Sequence, residues 1–229
     1  MDINALTNYI IKYIEGGYYH PDMFSNPGDM GTSGETMYGM DRTGGSDIVN
    51  SEDGQNFWAI VDRFYGEHHN DSKYYNDKAD GKRVPAYVGN ELKRLATNMM
   101  LTRFYKYAKA LDTNVYNLVI QDARLMLQFF YACWNGVGNF NTFAKVANDT
   151  YNSGKKDVGS IYNAINETRR NMPTTNETKK KLFRKGADQL DKICENHLGG
   201  VPGTISRKKI IWFVVAAIAG YAIYKAVKS

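Results

Sequence analysis

Tyr13 to Met23 reads YIEGGYYHPDM, which sets one carboxylate, Glu15, at the end of an isoleucine- and tyrosine-rich run and directly before two glycines. A carboxylic acid at the C-terminal end of a helix faces the negative end of the helix dipole, and apolar neighbours such as Tyr18 or Tyr38 would strip water from it. Both effects raise its pKa. Glu15 is therefore a candidate general acid, able to hold its proton near neutral pH and deliver it to a leaving oxygen. Gly16 and Gly17 let the backbone turn sharply and let a bulky substrate approach. The competing reading is a solvated surface acid, the usual fate of a charged side chain.

Other reactive residue types are sparse. Cys133 and Cys194 both fall in helical stretches and read as small core residues rather than a disulfide, and no CxxC or Cys/His spacing calls for zinc. His68 and His69 lie in GEHHNDSKYYNDKADGK, a polar run with the composition of a surface loop, where no paired carboxylates at ligand spacing stand beside them. Neither a metal nor a cofactor is expected.

The elements that must position Glu15 follow from periodicity. Ile3, Leu6, Ile10, Tyr13 and Ile14 recur at helical spacing behind a possible Asp2 cap, and Gly16-Gly17 ends the run, so Glu15 is placed on the last turn. A Gly-, Pro-, Asp- and Ser-rich passage leads to TMYGMDRTGGSDIV, a short strand signal around a Gly44-Gly45 turn. Beyond Ser51, a candidate cap, Phe57, Ile60, Val61 and Phe64 form a helical face, and Pro85 opens a long helix carrying Leu92, Leu95 and Met99. Val115–Trp134 reads as one apolar central helix. Two more helical faces follow it, and a basic amphipathic helix, KKKLFRKGADQLDKICENHL, comes after them.

The chain of 229 residues is long enough for one sizeable core plus an appendage. Its net charge of +5 favours an anionic partner: nucleic acid, a lipid surface or a bacterial wall polymer. Nucleic acid is not expected, because the basic residues are spread over several segments and no helix-turn-helix or aromatic RNA-binding pattern occurs. The N-terminus lacks the pattern of a secretory signal. At the other end GGVPG, residues 199 to 203, introduces a basic segment and an uncharged run from Ile210 to Tyr224. The resulting division is a domain over 1–198, a Gly/Pro and basic linker over 199–209, and a transmembrane helix over 210–227 contacting the lipid bilayer. The expected fold class is α+β: a mostly helical domain with a small β insertion after its first helix, plus that C-terminal span.

IEGGYYHPDMFSNPGDMGTSGETMYGM resembles the signature of the EGGY-type muramidases, glycoside hydrolase family 108 of the lysozyme-like group. Glu15-Gly16-Gly17-Tyr18 matches its opening, Asp29, Gly31 and Thr36 its middle, and Tyr38-Gly39-Met40 its strand. The likeness covers residues 10 to 41, with a looser one in FFYACWNGVGNF, residues 129 to 140. It implies a lysozyme-like fold and cleavage of peptidoglycan glycan strands, with Glu15 as the catalytic acid and Asp29 and Thr36 as its partners. Asp22 competes with Asp29 for the second carboxylate. Tyr18, Glu35 and Tyr38 are the candidate substrate-binding residues.

Three chemistries fit such a site. A carboxyl separation of about 5 to 5.5 Å would indicate a retaining hydrolase, and one of roughly 6.5 to 9.5 Å an inverting one. A lytic transglycosylase would need one Glu as acid and then base. Joined to the expected span, the resemblance points to a phage lytic protein held in a virion membrane or at the host inner membrane, beside other virion proteins. The contrasting expectation is a virion structural protein that keeps the fold without turnover.

Overall fold

The structure is a computed structural model and describes residues 2–25 and 34–203. The first helix, α1 (Ile3–Tyr13), is capped by Asp2, whose Oδ1 accepts from the Ala5 amide at 3.2 Å. Leu6, Ile10 and Ile11 bury its inner face. The helix ends two residues before the expected position: Ile14 is its C-cap, and the amides of Ile14 and Glu15 both donate to the Ile10 carbonyl at 2.9 Å. Glu15 thus lies just past the helix rather than within its last turn.

The β insertion is a three-stranded antiparallel sheet, β1 (Tyr18–Tyr19), β2 (Thr36–Met37) and β3 (Met40–Asp41), in the order β1-β2-β3. Met37 faces Met40, so only Tyr38 and Gly39 connect β2 to β3, and both have left-handed φ values of 55° and 73°. Two successive left-handed residues give the turn that follows the natural twist of a hairpin. The hairpin therefore reverses at Tyr38-Gly39. Gly44-Gly45, the turn expected from sequence, instead leads into α2 (Ser46–Val49).

The remaining described helices are α3 (Glu52–Tyr65), α4 (Ala86–Tyr107), α5 (Thr113–Gln121), α6 (Ala123–Trp134), α7 (Val137–Asn152), α8 (Val158–Arg170) and α9 (Glu177–His197). Ser51 caps α3 through its Oγ, and Pro85 stands immediately before α4. The single central helix expected over Val115–Trp134 is two helices. Asp122 adopts an extended conformation, and its carboxylate accepts from the amides of Arg124 at 2.9 Å and Leu125 at 3.3 Å. A side chain that satisfies the free amides of a new helix start is enough to break an otherwise continuous apolar run.

The centre of the domain is α6, in which Leu125 to Cys133 are all buried. It packs against α1, α4, α5, α7, α8 and α9. Cys133 and Cys194 are buried and free, as expected. The basic helix α9 turns Ala187, Leu190, Ile193 and Cys194 inward.

The observed class is a mostly helical domain with a small three-stranded sheet, and this corrects the expectation of a C-terminal transmembrane helix. Among the described residues no helix is long and apolar enough to cross a membrane. The segment 210–227, on which that expectation fell, lies outside the described residues, as does most of the 199–209 linker.

Candidate active site

Glu15 is brought to a cleft of about 470 Å³ by the end of α1. Gly39 of the hairpin turn forms one side, Tyr131 of α6 and Asn135 just beyond its end form the floor, and Leu182 and Lys185 of α9 form the far wall. The carboxyl touches the hairpin turn so closely that a Cβ built on Gly39 would fall 2.0 Å from Glu15 Oε2. Glycine is favoured there on two counts, contact with the carboxyl and a left-handed backbone.

Burial is the main influence on this carboxyl and pushes its pKa up from 4.5 to about 7. Three groups oppose it: a hydrogen bond with Tyr131, then the charges of Lys78 and Lys185. Burial wins, and near neutral pH the proton is held and exchangeable. The helix end behind Glu15 is satisfied by Lys78, whose ammonium donates to the carbonyls of Ile11, of Lys12 at 3.1 Å and of Glu15 at 2.9 Å. A cation capping the last carbonyls of a helix is favourable by itself and also fixes the backbone that carries the acid.

Tyr131 is set by what lies beneath it. Arg169, fully buried, stacks its guanidinium over the rings of Tyr131 at 5.0 Å and Phe143 at 4.3 Å. It donates to the Gln128 carbonyl at 3.2 Å, to Gln128 Oε1 at 3.1 Å and to Asn135 Oδ1 at 3.4 Å. Above Tyr131, α9 comes close because Gly186 has no side chain: a Cβ there would meet the ring at 3.3 Å. Lys179, Leu182 and Lys185 give α9 a basic and partly apolar face toward the cleft.

The hairpin is locked to the core through its turn. Trp134 Nε1 donates to the Tyr38 carbonyl at 3.0 Å, and the Tyr38 hydroxyl donates to the Lys78 carbonyl at 3.0 Å. A second hollow of about 250 Å³ shares Gly39 and Asn135 with the first and carries another carboxylate, Asp41. Asp41 Oδ1 accepts from the Thr43 amide at 2.8 Å and hydroxyl at 2.7 Å.

Of the described residues singled out from sequence, Glu15 alone has its side chain in the cleft. Tyr18 is fully buried and donates its hydroxyl to Glu35 at 2.9 Å. Glu35 also pairs with Arg42 at 2.6 Å, so its carboxylate is engaged inside the β region. Tyr38 contributes its backbone to the turn and buries its ring. Thr36 lies on β2 between Tyr19 and Asp41, and is partly exposed. Asp22 pairs with histidines elsewhere, and Asp29 lies outside the described residues.

Lys78, Tyr131, Asn135 and Lys185 were not anticipated as site residues. Tyr131 and Asn135 do fall inside FFYACWNGVGNF, a signal that could have marked them. Comparison with family models, curated proteins and solved structures finds no match to this chain in any of the three.

Proposed function

We propose that this chain is a glycosidase acting on the glycan strand of the bacterial cell wall, with Glu15 as general acid. The observation that carries the reading is the Glu15 carboxyl, pressed against Gly39 inside a cleft and holding its proton up to about pH 7. Glycosidic cleavage needs a proton on the leaving oxygen as positive charge develops on the sugar ring, which a carboxylic acid of that pKa supplies. The α9 wall, with Lys179 and Lys185 beside Leu182, suits a polymer that bears both carboxylates and apolar acetamido and lactyl groups. A phage lytic setting is part of this proposal and rests on the resemblance of the Glu15–Met40 signature.

A second reading, a lytic transglycosylase, is favoured by one feature: among the described residues, Glu15 is the one acid lining its cleft. In that chemistry Glu15 protonates the leaving oxygen and, as carboxylate, then takes the proton of the sugar hydroxyl that attacks the anomeric carbon. Mass spectrometry of digested peptidoglycan separates the two, since a hydrolase leaves reducing ends and a transglycosylase leaves anhydro ends. If neither product forms with wild-type protein, or if both form equally with Glu15→Gln, the glycosidase proposal fails.

A further inference from the structure

The chain after β1 meets the chain after α3. Asp22 Oδ2 lies 3.5 Å from His20 Nδ1 and 3.1 Å from His69 Nδ1, and the ligand atoms of the three residues all lie within 4.8 Å of one another. We propose that His20, Asp22 and His69 form a site for one zinc-class divalent ion, with a water as fourth ligand. The inference is independent of the glycosidase reading, because none of the three lines the Glu15 cleft.

Protonation bookkeeping points to a cation. The Asp22 amide donates to His20 Nδ1 at 3.2 Å, so that nitrogen is an acceptor and the ring is the tautomer with its hydrogen on Nε2. His20 Nδ1 therefore has no proton to offer Asp22 Oδ2, and a lone pair and a carboxylate oxygen face each other at 3.5 Å. His69 Nδ1 converges on the same oxygen. A hydrogen bond from His69 satisfies one of these approaches. A positive ion between the three draws on all of them, the one in-plane lone pair of His20 Nδ1 turning from the Asp22 amide to the metal.

The dimensions agree with the ion. Zinc bonds of about 2.0 to 2.1 Å at a tetrahedral angle put neighbouring ligand atoms roughly 3.3 Å apart. The two carboxylate-to-imidazole distances, 3.5 and 3.1 Å, fall on either side of that edge. The rings of His20 and His69, edge-to-face at 5.1 Å, are partly exposed, so tilting them to bring the nitrogens to the same edge disturbs no core packing. Two imidazoles and one carboxylate select zinc and its neighbours over magnesium or calcium, which take oxygen ligands.

Position suggests what the ion would do. His20 caps the turn Pro21–Met23 after the first strand and Asp22 lies within it, while His69 caps the turn Gly66–His68 after α3. An ion held by both would tie together two connections 47 residues apart in sequence, at the outer edge of the β region. Its role would be that of a staple, outside the reaction.

The test uses protein free of any histidine tag, stripped with chelator, and titrated with zinc chloride by calorimetry while thermal unfolding is followed in parallel. The expected result is one zinc per chain and a raised Tm, with magnesium chloride giving neither. His69→Ala and Asp22→Asn should each weaken zinc binding by about tenfold or more while circular dichroism is unchanged. His68→Ala should bind as wild type does, since His68 stacks on Tyr74 at 4.0 Å and stands outside the set. The proposal is overturned by no zinc uptake, by equal affinity in wild type and His69→Ala, or by loss of binding in His68→Ala alone.

Discussion

The carboxyl of Glu15 and the α-carbon of Gly39 are in direct contact, so that even one methyl group on Gly39 would overlap Glu15 Oε2. Gly39→Ala should therefore displace the acid and strain a φ of 73° together. The expected outcome is a loss of wall-degrading activity of about tenfold or more, with about 1 to 2 kcal/mol of lost stability. Turbidity clearing of peptidoglycan and urea unfolding on the same preparation check both parts.

Glu15 should also leave a signature in stability. Its folded pKa, about 7, lies above the 4.5 of an unperturbed glutamate, so between those values the folded state binds more protons than the unfolded state. Stability from this group is complete below pH 4.5, declines as pH rises, and is gone above the folded pKa. Glu15→Gln, which cannot ionise, should thus be more stable than wild type at pH 8, by no more than about 3 kcal/mol, and nearly equal to it at pH 4.5. Denaturant unfolding at the two pH values decides, and equal differences at both would contradict the buried-acid description.

Activity should follow the same proton. With Glu15 required in its acid form, the rate should fall on the alkaline side with a midpoint near pH 7. Lys78→Met removes a positive charge that favours the carboxylate, so the midpoint should move upward. The same variant strips a donor from three carbonyls at the end of α1 and should cost about 1 to 3 kcal/mol of stability. A pH–rate profile that stays in place would show that Lys78 does not act on Glu15 through charge.

Asp122→Ala tests the break between α5 and α6. Its carboxylate caps α6 and pairs with Arg124 at 2.6 Å, so its removal should cost about 1 to 2 kcal/mol by chemical denaturation. Because Asp122 starts the helix whose later turns carry Tyr131 and lead into Asn135, kcat should change less than twofold if the helix stays in register. A large fall in kcat would mean that the cap holds the floor of the cleft in place.

Sequence patterns revealed the parts of this fold that depend on local chemistry. The helical faces of α1, α3, α4 and α9 could be read from periodicity, and the caps at Asp2 and Ser51 from residue type. Glu15 was visible because an acid before two glycines is chemically conspicuous. The break at Asp122 was hidden, since the apolar run on either side of it looks continuous and one cap outweighs periodicity there. The hairpin turn was misplaced because Gly44-Gly45 is the stronger glycine signal, whereas the true turn needs Tyr38 in a left-handed conformation held by Trp134 and the Lys78 carbonyl. Lys78, Tyr131 and Lys185 were illegible for another reason. They are 63, 116 and 170 positions from Glu15, and only tertiary packing brings them to it.

The far wall of the cleft comes from α9, a helix that begins 162 positions after Glu15. His197 and Tyr13, 184 positions apart, hydrogen-bond at 3.0 Å where the two regions meet. During synthesis Glu15, Gly39 and Tyr131 are therefore all made before α9. Until α9 docks, one wall of the cleft and the charge of Lys185 are missing from around Glu15. The complete cleft therefore forms only when α9 docks.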